Sequence, residues 1–325
     1  MRIEKLILLA TGGTISTIED KRKGGLIAAL AGEKLLKDTG SPTPVDVVNF
    51  TTLNSTYLTP RDMFALGQKT QELLSRRDVK GVVISHGTST MEETAFILDL
   101  IISSEKPVVI TGAQRPASDP WPDGPQNLHA AFRIADTLEA RGKGVLVVFA
   151  NKIFAAREIQ KYHTYHLDAF DSGDKGLVGF VYSGEIKFYA AGRRKTIRLA
   201  DFRDLPVEII KFYAGADDKF FVAALHAKVK GIVVEGVGLG NVNQKFYEGI
   251  KNVIHNGVEV VMTSRSYLGR VVPYYGYPGG GDSLAKLGVI FAGDYPGTKA
   301  RLLLMIALNQ GLNHEGIVNL FKEYC

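Results

Sequence analysis

Short apolar runs alternate with amphipathic stretches along most of this chain. Residues 6–10, 45–50, 81–85, 108–111 and 145–149 are dominated by apolar positions and are too short to be helices, as expected of strands buried on both faces. Between them lie segments of helical period. Thr59-Pro60-Arg61-Asp62 opens one, with threonine as N-cap and proline at the first helical position, and the pattern runs to Ser75. Residues 90–103 form a second, with Glu92 and Glu93 in its first turn, where they complement the positive end of the helix dipole. Residues 127–141 form a third. Strand and helix in alternation predict an α/β fold built on a doubly wound, mostly parallel sheet.

The texture changes after Leu177. Residues 179–188 read as a hairpin around Ser183-Gly184, and residues 190–204 are basic and unpatterned up to Pro206. Alternation then resumes: strand 207–213, helix 219–228, strand 231–235, helix 244–256, strand 258–263, and two helices after Thr298 and His314. The expected organisation is a larger N-terminal α/β domain over 1–190, a linker over 191–206 and a smaller C-terminal α/β domain over 207–325. No repeat of solenoid period is present.

Composition narrows the classes. A chain of 325 residues suits two domains, and 45% hydrophobic with 22% charged residues is ordinary globular usage. The single cysteine, Cys325, excludes an internal disulfide and a cysteine metal cluster, which fits a reducing, cytoplasmic setting. The N-terminus carries no secretory pattern, and no run approaches the ~20 apolar residues that span a bilayer, so no membrane partner is expected. The net charge of +5, from 39 basic and 34 acidic residues, is a modest excess. Its densest piece, Lys21-Arg22-Lys23, reads as a solvated loop, and no basic face with interleaved aromatics suggests nucleic acid.

Two turns carry the candidate chemistry. The first strand runs into Thr11-Gly12-Gly13-Thr14, and the third into His86-Gly87-Thr88-Ser89-Thr90. In an open α/β sheet both fall at the carboxyl ends of strands, where ligands bind. Paired glycines allow a sharp turn and a close backbone approach, leaving Thr14 at the mouth of the sheet. A threonine nucleophile needs a base, because its own pKa lies far above neutrality. His86 adjoins the second turn but suits a core or cap role at a strand end. His163 and His166 lie in a loop-like stretch without the spacing of a helical zinc pair. No Gly-x-Ser-x-Gly elbow exists. Lys161, kept neutral by burial, is a further possible base. A glycine-rich stretch from Val233 to Asn241 follows a strand, and Glu259 lies near the distance of a ribose carboxylate, but the third glycine falls one position early for a dinucleotide fingerprint.

Taken together, Thr11-Gly12-Gly13-Thr14-Ile15, His86-Gly87-Thr88-Ser89-Thr90-Met91-Glu92-Glu93-Thr94-Ala95 and Thr111-Gly112-Ala113-Gln114-Arg115-Pro116 resemble the bacterial-type L-asparaginase/glutaminase family. The match continues through Asp123-Gly124-Pro125 with Asn127-Leu128, Gly236-Val237-Gly238 with Gly240-Asn241, and Lys299-Ala300-Arg301. The resemblance implies a cofactor- and metal-independent threonine amidohydrolase of two α/β domains. It also implies a homotetramer of close dimers, with active sites completed between subunits. It assigns Thr14 as the nucleophile that forms an acyl-enzyme with a small-molecule amide, and Thr88 and Lys161 as the groups that handle protons and the attacking water. It makes Ser55 the α-carboxylate ligand and puts Ala113 where a backbone group holds the amide.

The chain departs from the family pattern at the substrate's amine. The family aspartate after the second threonine is Ser89 here, and the glutamine after the carboxylate-binding serine is Thr56. The lid span 15–33 contains no tyrosine, for which Tyr57 is a neighbouring substitute, and the acid donated by a partner subunit is nearest matched by Asp282. The expected activity is hydrolysis of L-asparagine to L-aspartate and ammonia. The alternatives are an amidase for a related ω-amide or cyclic amide without a free α-amine, and a binding homologue that has lost catalysis.

Overall fold

The computed structural model describes residues 4–20, 25–28, 30–36, 39–41, 43–183, 185–189 and 195–325. The basic run Lys21-Arg22-Lys23, Gly184 of the expected hairpin and residues 190–194 of the expected linker lie outside the described residues. The chain forms two compact units that meet in sequence between Arg198 and Leu199.

The first unit is built on an eight-stranded sheet. Lys5–Ala10 pairs in parallel with Val45–Asn49 on one side and Val79–Ser85 on the other, and Val108–Thr111 and Val145–Phe149 extend the parallel series. Lys152–Ala155, Gly179–Tyr182 and Glu185–Phe188 complete the sheet antiparallel. The apolar runs are strands because both faces are covered: Leu6 to Leu9 and Val82 to Ile84 are fully buried. Helices Pro60–Ser75 and Met91–Ile101 pack together, and Gly124–Asp136 lies against the central strands. After Lys5–Ala10 the chain adds a strand on one side of it and then on the other. This strand therefore marks a switch point, where a crevice opens beyond the carboxyl ends of the strands.

Local differences from the sequence expectation have local causes. The helix expected over 127–141 is Gly124–Asp136. Pro125 fits its first turn, and extended backbone at Thr137 (φ −83°, ψ 145°) ends it before the short 3-10 turn Leu138–Ala140. The apolar pattern along the chain gives no sign of the strand Lys152–Ala155. That strand returns through a two-residue turn at Ala150 and Asn151, both at positive φ, without the glycine that ordinarily signals such a hairpin. The expected hairpin at 179–188 forms, as Gly179–Tyr182 against Glu185–Phe188.

The second unit carries a four-stranded parallel sheet in the order Val207–Lys211, Gly231–Gly236, Glu259–Ser264, Ile290–Phe291. Phe221, Phe246, Ile250, Val234 and Met262 form its own core. The helices Gly297–Asn309 and His314–Tyr324 close the chain.

Candidate active site

The first turn is held open by backbone that only glycine adopts readily. Gly12 and Gly13 have φ of 91° and 83°. A Cβ on Gly13 would stand 2.4 Å from Gly87 Cα, so the turns before Thr14 and Thr88 touch through their glycines. A Cβ on Gly87 would stand 2.6 Å from Ser55 Oγ, and Thr90 Oγ1 donates to Ser55 O at 2.9 Å. Three strand-end segments are thereby locked together. Thr14 opens the 3-10 turn Thr14–Ser16, fixed by Ser16 Oγ and Thr17 Oγ1, which both donate to Gly13 O at 2.9 Å. Its own hydroxyl is half-buried, with no hydrogen-bond partner among the described residues.

The second hydroxyl has an amine beside it. Lys161 Nζ lies 2.8 Å from Thr88 Oγ1 and 3.2 Å from Gln114 Oε1, and Thr88 Oγ1 lies 3.1 Å from the same amide oxygen. Thr88 is buried and Lys161 half-buried. Desolvation lowers the Lys161 pKa from the usual lysine value, opposed by the negative charge of Glu92. Lys161 reaches the site from the two-residue strand Gln160–Lys161, which pairs with Phe170–Asp171, and its backbone N–H donates to the Glu92 carboxylate.

The segment carrying Gln114 is clamped from below. The Asp123 carboxylate accepts from Gln114 N at 3.0 Å and Arg115 N at 2.9 Å. Asn127 Nδ2 donates to Gly112 O at 3.0 Å, and its Oδ1 accepts from Ala150 N at 3.2 Å. The Asp123-to-Asn127 stretch thus acts as a backbone brace. Ala113 is buried in this segment.

His86 belongs to the core. It is fully buried, with Nδ1 donating to Gly87 O at 2.7 Å and Nε2 accepting from Thr94 Oγ1 at 2.9 Å. Burial lowers its pKa to about 4, so the ring is neutral and shapes the turn. His163 and His166 stack on each other in an exposed loop. Ser89, Thr56 and Tyr57 are exposed, and the Ser89 and Thr56 side chains have no hydrogen-bond partner among the described residues. Asp282, in the second unit, pairs with Lys286 at 2.7 Å. Glu259 is engaged by His314 at 2.8 Å, so it is committed within its own unit. Among the described residues no group of three or more His, Cys, Asp or Glu could hold a metal ion.

Gln114 lies inside the Thr111–Pro116 motif, but nothing in the sequence marks its contact with the lysine, 47 positions away.

The asparaginase N-terminal family model matches residues 5–193, and the glutaminase/asparaginase C-terminal domain model matches residues 206–321. The chain is 36% identical over 310 residues to an L-asparaginase of Bacillus licheniformis, covering 94% of this chain and 95% of that one. It is 34% identical over 332 residues to L-asparaginase 2 of Bacillus subtilis, covering 98% and 86%. The crystal structure of a "Probable Cytoplasmic L-asparaginase" from Campylobacter jejuni superposes with a TM-score of 0.88 at 33% identity, covering 98% of this chain and 99% of the other. A switch-point crevice lined by two glycine-anchored threonine turns and these full-length likenesses lead to one conclusion: the chain belongs to the bacterial-type L-asparaginase family.

Proposed function

We propose that this chain, an asparaginase-type amidohydrolase, hydrolyses L-asparagine to L-aspartate and ammonia through an acyl-enzyme on Thr14. In the first step Thr14 Oγ1 attacks the side-chain amide carbon. The C–O bond forms, the C–N bond breaks, and ammonia leaves carrying the hydroxyl proton. In the second step water attacks the acyl carbon, and Thr14 leaves as the free alcohol. Thr88 and Lys161 take the proton of that water and give it back to Thr14 Oγ1 as the acyl C–O bond breaks, which restores the neutral lysine. The observation that carries this reading is the contact of Lys161 Nζ with Thr88 Oγ1 at 2.8 Å, with burial favouring the neutral amine. Ser55, buried beside Gly87, is the proposed α-carboxylate ligand, and the Ala113 backbone the proposed amide support.

The departures at Ser89 and Thr56 favour a second reading, an ω-amide or cyclic amide that lacks a free α-amine. Both are exposed hydroxyls where the family resemblance calls for an acid and an amide. A charge-assisted hydrogen bond is roughly twice as strong as a neutral one, so an ammonium is poorly held here. Residues 1–190 are proposed as the catalytic domain, 191–206 as the linker and 207–325 as the C-terminal domain. A cytoplasmic homotetramer is proposed on the family resemblance and on the description of the Campylobacter jejuni protein as cytoplasmic.

Ammonia release from L-asparagine, L-glutamine and succinamate, and ring opening of a small lactam followed by mass spectrometry, by wild type and Thr14→Ala, test both readings. Thr14→Ala is expected to lose activity by about 10³-fold or more, by comparison with removal of nucleophiles in other hydrolases. Equal release by the two proteins removes Thr14 from the mechanism. Fastest turnover on L-asparagine with a micromolar KM removes the second reading.

A further inference from the structure

We propose that Gln114 is a positioning residue for the hydrolysis, its amide oxygen being the shared acceptor that lets a proton pass between Thr88 and Lys161. The inference rests on the amidohydrolase reading above and deepens it.

The orientation of the amide follows from its other contact. The group 3.0 Å from Gln114 on the far side is the backbone carbonyl of His166, which can only accept. Nε2 therefore faces His166, and Oε1 faces the site. There it completes a triangle with Thr88 Oγ1 and Lys161 Nζ, with edges of 3.1, 3.2 and 2.8 Å. The Asp123 carboxylate, on the Gln114 and Arg115 N–H groups, fixes the backbone from which this side chain reaches in.

A carbonyl oxygen at that vertex fits both protonation states. With Lys161 neutral, the Thr88 hydroxyl donates to the lysine lone pair, and a lysine N–H donates to Gln114. When water attacks, its proton goes to Thr88 Oγ1 as the proton already on Thr88 moves to Lys161 Nζ. One O–H bond breaks and one N–H bond forms on that second transfer. The resulting ammonium donates to Thr88 Oγ1, and the Thr88 hydroxyl turns to Gln114. The amide oxygen accepts in each state, so the Thr88 hydroxyl keeps a partner throughout the transfer.

The vertex is also neutral. Lys161 makes no ion pair within 4.0 Å among the described residues. The acid that faces it is Glu92, at the start of Met91–Ile101, whose carboxylate receives the Lys161 backbone N–H. Several charged groups on the neighbouring segments have partners of their own. Asp123 braces the Gln114 turn, Asp168 pairs with Lys152 at 2.7 Å, and Arg115 Nη1 donates to Trp121 O at 2.9 Å. His163 Nδ1 accepts from Tyr165 N and His166 N, and His86 is held neutral behind Thr88. A neutral acceptor orients the amine without holding it protonated, as a carboxylate in the same place would.

Gln114→Glu and Gln114→Leu test this in the full-length protein, with melting temperature as the folding control. The readouts are the pH midpoint of Lys161 Nζ acetylation by acetic anhydride, followed by mass spectrometry, and the pH profile of kcat on the best amide. Gln114→Glu is expected to move both the labelling midpoint and the ascending limb of kcat to higher pH by at least one pH unit. Gln114→Leu is expected to move the midpoint to lower pH and cut kcat at least tenfold, with KM within twofold. Midpoints unmoved in both folded variants of an active enzyme, or a change in KM alone, overturn the positioning role. A wild type that neither releases ammonia from a linear amide nor opens a lactam overturns the hydrolytic reading, and the relay falls with it.

Discussion

Gly13 and His86 show how single residues build the mouth of the site without taking part in its chemistry. Gly13 has φ 83° and ψ −177°, a region essentially reserved for glycine, and its missing Cβ is what allows the Gly87 backbone to approach. The paired glycines announce a turn in the sequence, but the surface they meet is set by the fold. His86 next door is neutral because it is buried, and its two ring nitrogens are both satisfied. An unfolded histidine titrates near the ordinary value of 6.5, whereas His86 in the fold titrates at about 4. Between those values the unfolded chain binds more protons. Stability contributed by this residue is therefore full above 6.5, declines as pH falls, and is gone below about 4. The total is about 3 kcal/mol, from 1.4 kcal/mol per pH unit. Urea unfolding of wild type and His86→Gln between pH 7.5 and 4 is expected to show this slope in wild type and its loss in the variant. Parallel profiles would sink the assignment.

Helices and turns differ in how openly they declare themselves. Pro60–Ser75 starts where its sequence says it should, because Thr59 and Asp62 form a reciprocal capping box. Thr59 Oγ1 accepts from Asp62 N at 3.2 Å, and Asp62 Oδ2 accepts from Thr59 N at 2.9 Å. Thr59→Ala is expected to lower stability by about 1 kcal/mol, read as a lower urea midpoint at unchanged m-value. A midpoint equal to wild type would mean that the cap is replaced by solvent. The turn into Lys152–Ala155 is the contrary case. Ala150 and Asn151 take positive φ without glycine, because the two strands they join impose the geometry and Asn127 holds the Ala150 N–H. The two-residue strand Gln160–Lys161 is shorter than any period that could reveal it, yet it delivers the lysine.

At the scale of the molecule, each unit encloses its own sheet and core. The second unit buries Phe221, Phe246, Ile250 and Val253 among its own strands and helices. A fragment of residues 199–325 is therefore expected to give a helical circular-dichroism spectrum and a single cooperative thermal transition. A gradual, featureless melt would show that the unit depends on the rest of the chain. Read alone, the chain specifies its strand–helix alternation, its glycine turns, most helix starts and its family, because these follow from backbone sterics, side-chain period and short contiguous motifs. Which side chains meet was decided by the fold. Lys161 and Thr88 are 73 positions apart. Strand order sets the ends of Val79–Ser85 and Val108–Thr111 side by side, which brings Thr88 to Gln114, and the separate two-stranded sheet of Gln160–Lys161 with Phe170–Asp171 brings the lysine to both. The lowered pKa of Lys161 has the same origin, since desolvation belongs to the packed site and to no stretch of sequence.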